Sequence, residues 1–385
     1  MSLPSGFNCQ ACGGTDATEI DGFAHLPRVT SDSKPFRPGG RLFVCKDCGL
    51  VQKTTDARWL EEIGEIYRDY EMYHQSTSND QAVFDPASGQ PRGRCEVLAQ
   101  HLLESGTVPR NGALLDVGAG SGAMLGAFSG ACDGWTLHGL DLDNRKVHAL
   151  RAIPRFEQLY TMPPAELPRQ FDLITLIHSL EHFTDPLEML QTLRKKIAPG
   201  GQLFIEVNNA ARTPFDLVVA DHLCHFTPDS LTHMMQRAGF RVIVAKTDWI
   251  NKEISLLATP HPQPQEPAQD DPGTALARTK IDVAWLAGML DHARGSVSRN
   301  FGIFGTSVAA TWLASGLGDG VEFFVDEDPA REGRTHMGRP ILKPAEVPAG
   351  AVLYLAFLPT ISAAIAKRLS GLPVTFAAPP APVPA

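Results

Sequence analysis

Four cysteines in two tight pairs, Cys9-x-x-Cys12 and Cys45-x-x-Cys48, are each followed by glycine. Each pair presents two thiolates from a short turn, and together they supply the four sulfur ligands that tetrahedral zinc accepts. Ligation by cysteine alone leaves no position for water, so such a metal is structural. A redox pair needs only one such motif. Further on, Asp116-Val117-Gly118-Ala119-Gly120-Ser121-Gly122 follows the apolar run Ala113-Leu114-Leu115 and opens a helical pattern. This is the pattern of a buried strand and a glycine turn whose backbone approaches a ligand. A second apolar segment, Trp135 to Leu140, ends at Asp141-Leu142, where the acid can hydrogen-bond both hydroxyls of a ribose. A third constellation is rich in histidine: Asp221-His222-Leu223-Cys224-His225-Phe226-Thr227. There an imidazole beside an acid is equipped for general-base work, and Thr227 is the expected N-cap of the next helix.

Two nucleotide cofactors suit the glycine turn. Gly118, Gly120 and Ala123 satisfy the G-x-G-x-x-G/A pattern of dinucleotide binders. Asp116, two residues before the first glycine, opposes a pyrophosphate but suits a cationic ligand. Downstream, the strand-like run Phe171 to Ile177 leads into His178-Ser179-Leu180-Glu181-His182-Phe183, then a helix, Pro199-Gly200-Gly201 and a strand from Gln202 to Val207. This order, over about 113 to 260, resembles the class I S-adenosylmethionine-dependent methyltransferases. The resemblance implies a cofactor held by Asp116, Gly118, Ala119, Gly120, Asp141 and Leu142, with His178 beyond the fourth strand. It places Ala165-Glu166 beside the adenine, although Glu166 fits a solvent-facing loop acid equally well.

The cysteine module narrows the likeness. Cys9-Gln10-Ala11-Cys12-Gly13, followed by Cys45-Lys46-Asp47-Cys48-Gly49-Leu50-Val51-Gln52, resembles the zinc-binding amino-terminal domain of deoxysugar C-methyltransferases. In that family a methyltransferase domain and a smaller α/β domain follow. The resemblance implies methyl transfer to a sugar carbon beside a keto group on a nucleotide-linked substrate. Carbon methylation requires a base to remove the neighbouring proton. His222 is the first choice, supported by Asp221, with His225 and His182 as alternates; the other reading of His222 and His225 is a network tying the loop to its helix. The family's Tyr-His-Glu-His loop is matched only by Asp221 and His222, since Val219 and Ala220 replace its tyrosine and first histidine. That departure keeps O-methylation of a glycan or small metabolite open as the second reading, and a non-catalytic binding protein as the third. Tyr70 and Tyr73 resemble the family's tyrosine-rich stretch over the substrate, or else are ordinary helix-end contacts.

The elements that must position these residues are read from punctuation. Residues 1–58 form the expected zinc module. Residues 59–258 form an α/β domain of Rossmann-like class I type, with a helical lead-in whose face carries Trp59, Leu60, Ile63 and Ile66. A proline-rich linker spans 259–273, a smaller Rossmann-like α/β domain 274–376, and a tail expected to be disordered 377–385. In the smaller domain Gly302-Ile303-Phe304-Gly305-Thr306 reads as a structural strand–turn–helix, or more weakly as a second nucleotide site. A chain of 385 residues with 43% hydrophobic residues can bury such cores. Its net charge of −9 argues against nucleic acid as a partner. The absence of long apolar runs and of a leader pattern makes a small-molecule enzyme of the cytoplasm the default, away from membranes.

Overall fold

A computed structural model describes residues 7–70, 80–84, 91–262 and 271–382. At its centre is a seven-stranded sheet: β1 (Gly112–Val117), β2 (Trp135–Leu140), β3 (Phe156–Tyr160), β4 (Phe171–Ile177), β5 (Ile197–Asn208), β6 (Phe240–Lys246) and β7 (Glu253–Pro260). Their spatial order is 3-2-1-4-5-7-6. The first five are parallel, while β7 runs antiparallel to both β5 and β6. β1 and β4 are near-continuous apolar runs because helices cover both faces of a parallel sheet. The order reverses between β1 and β4, so the switch point at their carboxyl ends is where such sheets bind ligands.

The cysteine segment does not stand apart from this domain. Ala17–Glu19, Phe43–Cys45 and Val51–Gln52 form a small sheet whose fourth strand, Cys224–His225, comes from the histidine loop. One core joins Phe7, Phe43, Leu50 and Trp59 to Leu223, Phe226 and the central sheet. Another joins Phe23, Leu26 and Val29 to Trp285 and Trp312 of the carboxyl-terminal region. The amino-terminal segment is therefore a wedge between both α/β regions.

The carboxyl-terminal region has a six-stranded sheet: Thr335–His336, Arg339–Leu342, Phe323–Val325, Phe301–Phe304, Val352–Leu355 and Thr375–Ala377. The helices Pro272–Ser296 and Val308–Leu317 accompany it.

Several local expectations need correction. On the lead-in helix Ala57–Arg68, Leu60 faces solvent, and Glu62 is buried instead, gripped by both Nη atoms of Arg28 at 2.8 and 2.9 Å. The helix before β5 stops at Arg194, and Pro199-Gly200-Gly201 lies within the strand. The proline-rich run begins as the end of β7, and Asp271 caps the helix that starts at Pro272; residues 263–270 lie outside the described residues. The tail has structure beyond Ala377, since the Trp285 indole donates to the Pro380 carbonyl at 2.8 Å. Among the described residues, no helix is long and apolar enough to cross a membrane.

Candidate active site

The glycine turn follows β1 directly. Gly118 takes φ +79°, and a Cβ there would lie 2.9 Å from that of Ser179, so only glycine lets the turn pass this close. Asp141, at the end of β2, accepts from the Gly120 amide through one oxygen and from the Leu142 amide through the other, both at 2.7 Å. The two motifs thus meet, and each carboxylate oxygen keeps capacity for a ribose hydroxyl. Asp116 is buried and accepts from Thr175 Oγ1 at 2.7 Å. Burial raises its carboxyl to about 7, with Thr175 opposing and Asp141 adding to the rise. A neighbouring cation would restore the ionised form, which fits a sulfonium ligand. Ala119 is buried against the turn, whereas Leu142 is 78% exposed. Ala165 and Glu166 lie on the short turn Pro164–Glu166 between β3 and β4.

His178, expected beside the cofactor, has its imidazole committed elsewhere. It sits at φ +48°, with Nδ1 3.3 Å from Glu181 and Nε2 3.0 Å from Glu253; Glu253 also meets Arg94 at 3.3 Å. Burial and Arg94 push the imidazole down, but Glu253 and Glu181 outweigh them and carry it up to about 9. Glu206, buried on β5 next to Glu253, is pushed well above the carboxylate range by burial and by that neighbour. No sequence pattern announced this cluster, because its members come from four distant segments.

The histidine loop is organised around a residue that sequence reasoning passed over. Asp216 accepts from His222 Nδ1 and His225 Nδ1, both at 2.7 Å, and its Oδ1 also accepts from Asn208 Nδ2 at 3.0 Å. Burial alone would raise this carboxyl, yet the two histidines hold it well below the usual range. The pairing assigns Nδ1–H to His222. The acid behind His222 is therefore Asp216, not Asp221. Only its place six residues before His222 could have drawn attention to it.

Asp221 serves a different histidine. His182 Nδ1 faces Tyr67 Oη at 2.9 Å, the Asp221 carbonyl at 3.2 Å and its carboxylate at 3.4 Å. Burial opposes the charge on His182, but Asp221 raises its affinity for a proton. The Asp221 carboxylate in turn accepts from Ser31 N at 2.9 Å and Ser31 Oγ at 2.5 Å. The His182 and His222 rings lie 4.7 Å apart, edge to face. Tyr70 bonds Ser31 Oγ at 3.1 Å, and Tyr73 lies outside the described residues. Tyr67, which sequence reasoning did not single out, touches a candidate catalytic group, His182. Thr227 caps its helix as expected, accepting from Ser230 N.

The four cysteines come together as two crossed pairs, Cys9 with Cys48 and Cys12 with Cys45, each 3.5 Å between sulfurs. Gly13 (φ +75°) and Gly49 (φ +73°) let each turn fold back so that their amides bond the Cys9 and Cys45 carbonyls. None of the seven cysteines is in a disulfide. A tetrahedron with metal–sulfur bonds of ~2.3 Å has sulfur–sulfur edges of about 3.8 Å, so the donor set suits zinc.

Comparison with known proteins agrees with the central region. Residues 92–245 match the family model described as a methyltransferase domain. The ubiquinone biosynthesis O-methyltransferase of Vibrio cholerae serotype O1 (strain ATCC 39541) is 32% identical over 130 residues, covering 31% of this chain and 52% of that protein. Its counterpart from Pseudomonas syringae pv. tomato is 31% identical over 127 residues, covering 30% and 53%. The chain thus spans about half the length of these curated relatives. Among solved structures, the mitomycin 7-O-methyltransferase MmcR aligns with a TM-score of 0.38 at 16% identity, covering 43% of this chain and 53% of that one. The glycopeptide N-methyltransferase MtfA, complexed with S-adenosylmethionine, aligns at 0.36 and 17%, covering 43% and 93%. Residues 92–245 thus read as a methyltransferase domain.

Proposed function

We propose that this methyltransferase adds a methyl group to a carbon beside a ketone on a small, nucleotide-linked sugar, with His222 as general base. The observation that carries this reading is the pair of unlike histidines 4.7 Å apart. His222, bonded through Nδ1 to Asp216, presents Nε2 as the base when its ring is neutral. His182, whose affinity for a proton Asp221 raises, serves as the donor. A carbon acid needs both: a base for the α-proton, and a donor for the oxygen on which enolate charge develops. Asp141 and the Gly118–Gly120 turn would hold S-adenosylmethionine, with Asp116 balancing its positive charge. When bound, that cofactor supplies the electrophilic methyl group, and the chain's part is to align the acceptor and manage the proton.

Zinc at Cys9, Cys12, Cys45 and Cys48 is proposed as structural, on the strength of the four-sulfur cluster. O-methylation is the second reading, and the names of the curated relatives favour it. It requires the base but not the proton-donating neighbour. Transfer from methyl-¹³C-labelled S-adenosylmethionine to a nucleoside-diphosphate keto-deoxysugar separates the two by product NMR. A label bonded to carbon supports the proposal, and a label bonded to oxygen replaces it with the second reading.

A further inference from the structure

The amino-terminal wedge places one charged side chain in the heart of the histidine loop. Lys53 follows directly on the Val51–Gln52 strand and is 1% exposed. Its ammonium meets three groups: the Val219 carbonyl at 2.9 Å, the His222 carbonyl at 2.7 Å and His225 Nε2 at 3.0 Å. In its charged form this side chain has three protons and no acceptor, so all three contacts are then donations and His225 Nε2 is unprotonated. His225 therefore carries its single proton on Nδ1, where Asp216 Oδ2 accepts it. Both nitrogens of His225 are thereby spent, which removes it from the candidate bases. The remaining oxygen of Asp216, Oδ1, orients His222.

We propose that Lys53 is a positioning residue of the methyl-transfer site. By donating to His225 Nε2 it fixes the Nδ1–H tautomer and keeps Asp216 ionised and oriented toward His222. This rests on the reading of His222 as base. The groups facing His225 are Lys53 from the wedge, Asp216 from the segment Pro214–Val218, and His222 from its own loop, with ring centroids 6.5 Å apart. Burial and the Lys53 cation push His225 down to about 4 against Asp216, in line with a neutral ring. Burial likewise pushes Lys53 down to about 7, against Asp216, with Arg28 adding to the fall. Loss of Lys53 would leave Nε2 free to take a proton, and the resulting imidazolium would draw Asp216 away from His222. The wedge thus sets a protonation state as well as a loop shape.

Histidine-selective ¹⁵N NMR on the full-length, zinc-loaded protein with S-adenosylhomocysteine tests this without the acceptor. The expected spectrum of the native protein shows His225 with Nδ1 protonated and Nε2 unprotonated near pH 6, where Lys53 carries its charge. In folded Lys53→Met, His225 should become doubly protonated near pH 6. A native His225 protonated at Nε2 overturns the proposal with no variant needed, so it stays testable if Lys53→Met fails to fold. A folded Lys53→Met with an unchanged His225 spectrum overturns it as well. Failure of His222→Gln to slow transfer would instead overturn the base assignment, leaving the Lys53–His225 tautomer result standing.

Discussion

The two ends of the candidate site are built in opposite ways. The cofactor end draws on consecutive residues at two neighbouring strand ends: Asp116 to Gly122 after β1, and Asp141 after β2. The acceptor end brings together Ser31, Lys53, Tyr67, His182, Asp216, Asp221, His222 and His225, from the wedge, the β4 end and the loop after β5. Every residue from Val219 to His225 except Cys224 has a backbone or side-chain bond to the wedge or to Glu181, and Cys224 and His225 pair with Gln52 and Val51 as a strand. A nucleotide cofactor can be held by local geometry, whereas the proposed acceptor site is built partly from a segment outside the residues that match the methyltransferase domain.

The largest way to break this contrast is to remove the proposed zinc site. Cys45→Ser should unravel the wedge and with it the Cys224–His225 strand, lowering transfer by at least about 10³-fold. Cofactor affinity, read by calorimetry with S-adenosylhomocysteine, should change only a few-fold. Elemental analysis should find about one zinc per chain in the native protein. Equal loss at both ends would mean that the wedge supports the whole fold. His222→Gln should lower kcat by about 10²–10⁴-fold with the cofactor KM nearly unchanged, and Asp216→Asn should follow it. Asp141→Ala should do the reverse, raising the KM for S-adenosylmethionine about 10- to 100-fold by removing bonds to a charged acceptor.

The same asymmetry explains what could be read from the chain. Asp116, the glycines, Asp141 and the paired cysteines are each fixed by short spacings, and the structure brings each set together. Asp216 was missed because nothing in Pro214 to Val218 looks like chemistry until two imidazoles from the next turn converge on it. Lys53 was missed because its partners lie more than 160 positions away. His178 was assigned to the cofactor by its place after β4, but Glu253, reached only through the antiparallel β5–β7 pairing, claims its ring. Leu60, expected on the buried face, is exposed, and Glu62 is buried because Arg28 pairs with its carboxylate.

The smallest effect belongs to that buried His178 cluster, which lies between the two ends. Its imidazole is raised from the ordinary 6.5 to about 9, so its contribution is complete below pH ~6.5 and is lost as pH rises through about 9. The amount is at most about 3 kcal/mol, visible as a decline in thermal midpoint between those pH values. His178→Asn should flatten that decline. An unchanged pH slope would show that Glu181 and Glu253 do not hold a protonated ring.

The central claim is that His222 removes a proton from carbon. The direct measurement is solvent-deuterium exchange beside the ketone of a nucleoside-diphosphate keto-deoxysugar, with S-adenosylhomocysteine in the cofactor site so that no methyl can move. Deuterium should enter with the native protein and fall by about 10²-fold or more with His222→Gln. Exchange that proceeds equally in the two proteins would contradict the account.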